Sequence, residues 1–361
     1  MIDISTNFMN NEEPFMPVYN FCPKQKPHIK EPLRMKTRFT EMLGIKYPIM
    51  CGGMMRLAYP SLCAAISNAG GLGNLTSTMY KDKAELVAAI REVRKLTNNP
   101  FSVNVTLLPS MAKGPEQYRD YFDACAEEKV PAMEISGLPL NRFENGKYLQ
   151  KLKDAGVKLF HKVGSVKHGK SAEKAGYDGV IAAGVEEGGH PLNENVATTV
   201  LTPRLVEEVA IPVITAGGMA NGRSLAAALC LGAEGILMAT RFINTVECQV
   251  HEKVYQELIN RQENETVLYG NSIGLQGRAL INDSIREVMA VEARNGSLEE
   301  VLPHISGQYG DHIWKEGNMQ TGLIPVGQSI GLIHDTVTCK ELLDRMVKEA
   351  EAIIKENMAK F

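Results

Sequence analysis

The chain of 361 residues carries 39 Lys and Arg against 42 Asp and Glu, so its formal net charge is −3. Hydrophobic residues make up 44% and charged residues 22%, which is ordinary for a globular protein and excludes a disordered or fibrous chain. This balance, with only 6% aromatic residues, gives no reason to expect a nucleic-acid partner.

The cysteines and the apolar runs indicate where the protein works. Its seven cysteines are scattered and never spaced as CxxC, which argues against a disulfide framework or a zinc site. No apolar run approaches the ~20 residues needed to cross a bilayer, and the first residues lack the pattern of a secretory signal. We therefore expect a cytoplasmic protein with reduced thiols and no membrane partner.

Residues 1–36 differ from the rest of the chain. They hold five prolines and little periodicity, so we interpret them as an irregular N-terminal arm. The arm could pack on the body or on a second subunit, and it would suit a homodimer contact.

Residues 37–242 alternate between short apolar runs rich in Val and Ile and helical patterns such as Lys83–Leu96. The predicted strands are residues 48–53, 71–75, 101–107, 132–136, 157–163, 179–183, 212–216 and 235–239. Eight such units predict an α/β fold with a closed (β/α)8 TIM barrel. A doubly wound open sheet is the alternative, but Gly70-Gly71-Leu72-Gly73 does not complete the GxGxxG turn of that fold.

The alternation stops after residue 242. We predict that residues 243–335 form a helical insertion or lid over the barrel mouth and that residues 336–361 hold a closing helix. The insertion should set the choice of substrate. Its candidates to face the pocket are Tyr309, His312, Trp314 and Lys315, although packing within the lid explains them at least as well.

In such a barrel the active site lies at the carboxyl ends of the strands. Cys51, Gly52, Gly53 and Met54 follow the first strand, and bare glycine backbone would let a flat ligand lie close. Cys51 has apolar neighbours that favour a buried, inert thiol. Asn104 in the third strand could bond the edge of a heterocycle or simply the neighbouring backbone.

The loop after the sixth strand runs from Gly184 to His190, with Gly188 and Gly189 before the histidine. An imidazole there can exchange a proton at neutral pH, while a structural loop histidine is the alternative. Lys162, at the end of the fifth strand, could be a Schiff-base lysine or a cation beside a flavin.

The loops after the last two strands predict a phosphate site. Gly217 and Gly218 follow the seventh strand, and Ala239 and Thr240 follow the eighth. Backbone amides at these positions of a barrel often hold a phosphate, which indicates a phosphorylated ligand such as flavin mononucleotide (FMN). The sequence has no HExxH, GxSxG, Walker A or Cys/His metal motif, so we expect no metal.

These motifs, in this order, resemble the nitronate monooxygenase family, whose pattern also includes the FMN-dependent enoyl-acyl-carrier-protein reductases of the second type. The matching segments include TRFTEMLGIKYPIMCGGM, PFSVNVTLL, GVEEGGH and IPVITAGGMANGRSL, and the match runs from about Thr37 to the C-terminus. The resemblance implies a barrel with noncovalent FMN and His190 as the catalytic residue. The implied cofactor-binding positions are Gly52, Gly53, Met54, Asn104, Lys162, Gly184, Gly188, Gly189, Gly217, Gly218, Ala239 and Thr240.

The sequence departs from the family pattern at several positions. Ala239 stands where Gly is frequent, Cys51 replaces a common Gln, and Glu187 replaces the usual Ala before Gly-Gly-His. Glu187 therefore places an extra carboxylate near the site. Arg56 could attract an anionic substrate, but a solvated surface cation is the favoured interpretation.

The resemblance implies oxidation of alkyl nitronates by O2 to a carbonyl compound and nitrite, with His190 as the base for neutral nitroalkanes. The alternative is an NAD(P)H-dependent reductase of enoyl thioesters or quinones. A flavin-binding module without turnover and an aldolase-type barrel using Lys162 are weaker alternatives. Each of the catalytic alternatives implies a small-molecule substrate.

Overall fold

The structure is a computed structural model that describes residues 35–108, 114–274 and 276–360. The predicted N-terminal arm lies outside these residues apart from Met35 and Lys36. All of the described residues belong to a single compact unit.

Within the described residues, eight parallel strands form one sheet in the order β1-β8-β7-β6-β5-β4-β3-β2. They are β1 Ile49–Cys51, β2 Gly73–Thr76, β3 Phe101–Leu107, β4 Ala132–Gly137, β5 Lys158–Val163, β6 Gly179–Ala183, β7 Val213–Ala216 and β8 Gly235–Met238. The sheet closes because β1 pairs with β8 through Ile49 and Ile236, while Met50 bridges to Leu72 just before β2. The prediction of a (β/α)8 TIM barrel is confirmed.

One helix precedes the first strand, and each strand is followed by a helix. The helices are α1 Arg38–Leu43, α2 Pro60–Asn68, α3 Lys83–Leu96, α4 Pro115–Glu127, α5 Lys147–Asp154, α6 Val166–Ala175, α7 Thr198–Glu208, α8 Gly222–Cys230 and α9 Thr240–Ile243. Local sequence explains their starts: the Asp82 side chain accepts the Glu85 N–H at the start of α3, and Asn221 with Ser224 forms a capping box on α8.

The segment after α9 contains a short two-stranded sheet in addition to its helices. It holds α10 Glu252–Ile259, β9 Thr266–Tyr269, β10 Gly277–Leu280, α11 Asp283–Ala293, α12 Leu298–Ile305, α13 Gly310–Trp314 and the closing helix α14 Cys339–Met358. The strands β9 and β10 pair antiparallel, with Thr266 opposite Leu280. Four-residue strands are too short to show a clear period of two, which is why the sequence did not predict this hairpin.

The core inside the barrel shows which end is open. Met50, Ile181 and Ile214 fill the interior with no solvent exposure. Phe39 of α1 meets Phe160 of β5 edge to face, with ring centroids 5.4 Å apart. An added Cβ on Gly235, the first residue of β8, would lie 3.0 Å from Phe39, so α1 covers the amino ends of the strands. A ligand must therefore enter from the carboxyl ends.

Among the described helices, none is both long enough and apolar enough to cross a membrane. The residues of the described ranges also include no cluster of three or more His, Cys, Asp or Glu side chains suited to a metal ion.

Candidate active site

A cavity of about 300 Å³ lies at the carboxyl ends of the strands. This volume is at the lower end of the range for small-molecule sites. Trp314 of α13 and the segment around Pro325 and Gly327 form part of its wall, so the insertion contributes to the site as well as the barrel.

Most of the residues singled out in the sequence come together here. The cavity is lined by Gly53, Met54, Asn104, Lys162, Gly188, Gly189, His190, Gly217, Gly218, Ala239 and Thr240. Gly52 and Gly184 do not line it. An added Cβ would meet Leu237 at Gly52 and the Thr198 hydroxyl at Gly184, so these glycines serve close packing behind the wall.

The first loop leaves no room for a side chain on its second glycine. A Cβ on Gly53 would lie 2.4 Å from the Asn104 amide, which is itself buried. The Gly53 N–H donates to Glu134 Oε2 at 3.0 Å, and the Met54 N–H donates to Thr76 Oγ1 at 2.9 Å. The backbone of this loop is therefore held by side chains of β2 and β4.

The loop after β7 has the form of a cradle. Gly217 and Gly218 adopt φ values of +94° and +74°, which side chains rarely tolerate. A Cβ on Gly218 would meet no protein atom within 4 Å and would instead enter the cavity. Thr240 lines the same end, and its Oγ1 accepts the Gly327 N–H at 3.0 Å. Bare backbone and a hydroxyl here fit the phosphate of a bound FMN.

The loop that carries His190 is held by the hairpin of the insertion. Gly189 N–H donates to the Arg278 carbonyl at 3.0 Å, and Arg278 N–H donates to the Gly189 carbonyl at 2.7 Å. The Arg278 guanidinium also donates to the Val185 carbonyl at 2.9 Å. These bonds fix the backbone on both sides of Gly188, next to the histidine.

The His190 side chain is exposed and lines the cavity, and its surroundings favour the neutral imidazole. Desolvation in the cleft, together with the positive charge of Lys162, lowers the pKa of its imidazole below the ordinary value. A neutral imidazole that lines a ligand cavity can accept a proton from a bound molecule.

Beside it lies a buried charged cluster formed by Glu134, Lys162 and Glu187. Lys162 Nζ donates to Glu187 Oε1 at 2.7 Å and lies 3.8 Å from Glu134 Oε1. Their side chains are 14%, 11% and 1% exposed for Lys162, Glu187 and Glu134 respectively. Glu134 also accepts Asn74 Nδ2 at 2.6 Å and the Ser136 hydroxyl at 3.2 Å.

Within the cluster, the pKa values of Lys162 and Glu187 are shifted. Burial alone would lower the pKa of the Lys162 ammonium, but Glu187 and Glu134 outweigh it and raise that pKa. Burial raises the pKa of the Glu187 carboxyl, Glu134 adds to the effect, and Lys162 opposes it. Among the described residues, no group forms a hydrogen bond with the buried Oε2 of Glu187.

Sequence reasoning did not single out Glu134, Asn74 or Thr76. A signal was available for Glu134, since it is the one acidic residue in the apolar run AMEIS of the fourth strand. A charge at such a position is buried by the barrel and therefore needs partners. Asn74 and Thr76 gave no comparable signal, because polar residues are common near strand ends.

Two further expectations concern residues near the mouth. Burial raises the pKa of the Cys51 thiol well above its ordinary value, in keeping with an inert cysteine. Arg56 pairs with Asp311 of α13 at 2.8 Å, so it ties the first loop to the insertion. Of the four lid candidates, Trp314 lines the cavity, whereas His312 pairs with Glu316 and Lys315 with Asp311.

The barrel, a cradle for a phosphorylated planar ligand and acid–base groups on the same face define an enzyme of the flavin-barrel class. Comparison with known proteins makes the class specific, because the sequence pattern of the nitronate monooxygenase family matches residues 36–349. The chain belongs to the nitronate monooxygenase family and is an FMN-type oxidoreductase.

Curated relatives carry two kinds of name. A Rhodococcus jostii (3aS,4S,5R,7aS)-5-hydroxy-7a-methyl-1-oxo-octahydro-1H-indene-4-carboxyl-CoA dehydrogenase is 33% identical, with 88% of this chain and 96% of the relative covered. A probable nitronate monooxygenase of Staphylococcus aureus is also 33% identical, with 77% and 90% covered.

Solved structures agree with the fold. FabK from Thermotoga maritima superposes with a TM-score of 0.82 and 35% identity, covering 91% of this chain and all of FabK. A nitroalkane oxidase from Streptomyces ansochromogenes gives a TM-score of 0.75 at 24% identity, covering 88% of this chain and 99% of the oxidase. At that identity the second likeness supports the fold alone.

Proposed function

We propose that this chain is an FMN-dependent nitronate monooxygenase that oxidises alkyl nitronates with O2 to a carbonyl compound and nitrite. The observation that carries the proposal is the glycine-lined cavity, whose bare backbone and Thr240 hydroxyl fit FMN. His190 on its wall, with a lowered pKa, would supply the base for neutral nitroalkanes. The family match supports the reaction class.

FMN is the cofactor that the cavity fits. Gly217, Gly218 and Thr240 would hold its phosphate, and Gly53 with Asn104 would lie along its ring system. When bound, FMN supplies the electron acceptor that amino-acid side chains lack. The chain itself binds, orients and exchanges protons.

His190 is assigned the proton chemistry. With a neutral nitroalkane, its free imidazole nitrogen would remove the α-proton, and the electron pair of the C–H bond would move toward the nitro group to form the nitronate. With a nitronate, that proton is already absent and no base is needed. The role of His190 can therefore be tested by comparing the two substrates.

The first experiment is nitrite release with oxygen uptake on nitroethane and ethyl nitronate, using protein purified with its flavin. Yellow protein that consumes oxygen and forms nitrite in equal amounts supports the proposal. Yellow protein that forms no nitrite from either compound would contradict the monooxygenase proposal.

A second candidate is an oxidoreductase of acyl thioesters, with NAD(P)H as the electron donor. It is favoured by the similarity to the Rhodococcus relative, which is named as a carboxyl-CoA dehydrogenase. Anaerobic mixing with NADH, NADPH and ethyl nitronate in parallel separates the candidates. Bleaching by a nicotinamide followed by reoxidation with crotonyl-CoA supports this second function, and bleaching by the nitronate alone removes it.

We also infer that the partner is a small molecule and that the protein acts in the cytoplasm without nucleic acid or membrane.

We further infer that the protein forms a homodimer through the N-terminal arm. Light scattering of the full chain and of a chain lacking residues 1–36 tests it, because loss of the arm should convert the dimer into a monomer. A dimer that persists without the arm contradicts it.

A further inference from the structure

A buried threonine lies directly behind the cradle that follows β7. Thr198 is the first residue of α7, is 3% exposed and does not line the cavity. Its Oγ1 lies 2.8 Å from Glu186 Oε2 and 3.2 Å from each of the carbonyl oxygens of Ala216 and Gly217. One side chain of α7 therefore contacts both the loop that carries His190 and the loop that forms the cradle.

The space around this hydroxyl is made by glycines on both loops. A Cβ on Gly217 would lie 2.9 Å from Thr198 Oγ1, and a Cβ on Gly184 would lie 1.9 Å from the same atom. Gly217 also holds a φ of +94°, a left-handed conformation that other residues rarely adopt. Because the hydroxyl is in contact with this strained turn, the position of Thr198 determines where the cradle backbone lies.

Glu186 anchors the threonine. Its carboxylate accepts the Thr198 N–H at 3.1 Å as well as the hydroxyl, and it thereby caps the first turn of α7 in place of Ala197, the N-cap residue, which makes no side-chain cap bond. The Glu186 carbonyl in turn accepts the Gln328 N–H at 3.0 Å. A hydroxyl has one proton to donate, so the carboxylate and the two carbonyls share it, with the carboxylate at the shortest distance.

We propose that Thr198 is a positioning residue for the cofactor: its hydroxyl, anchored by Glu186, sets the backbone of Gly217 and Gly218 in the conformation that receives the FMN phosphate. This inference rests on the proposed function, in which the cradle holds that phosphate. Thr198 lies behind the wall of the cavity, so it acts only through the cradle backbone. Binding of the phosphate should depend on it, whereas binding of the ring system, which is assigned to the loop after β1, should not.

Two flavins separate this role from a merely structural one, because riboflavin shares the ring system and ribityl chain of FMN but has no phosphate. The full chain, freed of its flavin, is titrated with each flavin, and the change in flavin fluorescence gives the two dissociation constants. Thr198→Val keeps the shape of the side chain and removes the hydroxyl. It should weaken FMN binding about tenfold, as expected from the loss of one hydrogen bond to a charged group, and leave riboflavin binding nearly unchanged.

A conservative variant and a matched control complete the test. Thr198→Ser restores the hydroxyl and should restore most of the FMN affinity. Thr202 lies one turn further along α7, and its buried hydroxyl lies 3.0 Å from the Thr215 hydroxyl of β7. Thr202→Val should lower the free energy of unfolding, measured by urea titration, and bind both flavins as the unsubstituted protein does.

Three results would overturn the proposal. They are an equal weakening of FMN and riboflavin binding in T198V, a loss of FMN affinity of the same size in T202V, and no rescue of FMN affinity by T198S.

Flavin affinity and nitrite release keep this inference separate from the proposed function, because the titrations use no nitro compound. Protein that shows the expected T198V pattern but yields no nitrite would end the monooxygenase proposal and leave Thr198 as a positioning residue. Protein that yields nitrite while T198V binds FMN as tightly as the unsubstituted protein would do the reverse. Protein that binds neither flavin would overturn both.

Discussion

Two histidines show how the position of an imidazole in the fold determines its role. His161 of β5 is enclosed, contacts the Ile135 carbonyl through Nδ1 at 3.0 Å and packs on Tyr177, and burial lowers its pKa to about 4. His190 is also shifted toward the neutral form, but it lines the cavity. His161 therefore serves the core, whereas His190 can meet a substrate.

Replacement of His190 by alanine should separate the two nitro substrates. We expect turnover of nitroethane to fall by about 10²–10⁴, the usual contribution of a general base, while turnover of ethyl nitronate changes little. The matched control is His312→Ala, whose imidazole is exposed and pairs with Glu316. Equal losses on both substrates in H190A would show that His190 does not act as the base.

The pH dependence of nitroethane turnover should report His190. Because the folded protein lowers the pKa of this imidazole, the neutral base persists below the ordinary value of about 6.5. Activity should therefore fall on the acid side only as the pH drops below that value. Steady-state rates across pH measure this limb, and a midpoint above 6.5 would contradict the direction of the shift.

The role of Gly218 in cofactor binding can be tested against Gly44, a glycine with a similar backbone conformation outside the site. Gly218 and Gly44 have φ values of +74° and +68°, and a Cβ on either meets no protein atom within 4 Å. Alanine should cost each about 1–2 kcal/mol of stability through left-handed strain. Only G218A should weaken FMN binding, measured by flavin fluorescence. Similar affinities in both variants would place the cofactor elsewhere.

At the scale of elements, the hairpin of the insertion positions the loop that carries His190. β10 contacts this loop through paired backbone hydrogen bonds between Gly189 and Arg278, and the Arg278 side chain reaches Val185 and Thr266. The segment predicted to be a lid is therefore also a support for the residues beside His190.

Arg278→Met should loosen that loop without unfolding the barrel. Loss of the guanidinium leaves the Val185 carbonyl and the Thr266 hydroxyl without this partner, so amide exchange over residues 184–190 should accelerate and kcat should fall. The control Arg286→Met removes an exposed cation paired with Asp283. Unchanged exchange in R278M would show that the backbone bonds alone hold the loop.

At the scale of the whole molecule, one carboxylate joins the end of the barrel to the closing helix. Asp335 binds Arg241 of α9 at 2.6 Å and also pairs with Arg345 of α14. Arg241 is only 2% exposed, and burial lowers its pKa to about 10, so it stays charged at neutral pH. The Arg345 hydrogen bond, the largest effect, lowers the pKa of Asp335.

Asp335→Asn should lower the free energy of unfolding at neutral pH by roughly 1 kcal/mol, because solvent screening at this partly exposed carboxylate reduces the contribution of its charged hydrogen bonds. Since the folded pKa of Asp335 is depressed, its contribution is present above the ordinary value near 3.9 and is lost as the pH falls through the folded value. Urea titrations should show the difference shrinking in acid. A matching loss in Asp283→Asn would indicate a nonspecific charge effect.

The barrel was predictable because buried parallel strands leave a local mark. The predicted and observed strands coincide at residues 101–107 and 179–183 and differ elsewhere by a few terminal residues. The cavity glycines were predictable for a related reason, since they follow those strands directly. The hairpin β9–β10 was not, because its short strands and intervening glycines show no clear period.

By itself the sequence determined the alternation of strands and helices, the glycine loops and the place of His190, because hydrophobic period and turn residues act over a few neighbours along the chain. Only the tertiary structure decided that Glu134, Lys162 and Glu187, which come from two strands and a loop, share one buried site. Burial and charge pairing depend on residues far apart in sequence, and these interactions control which groups carry protons. The chemistry of the site therefore follows from closure of the barrel.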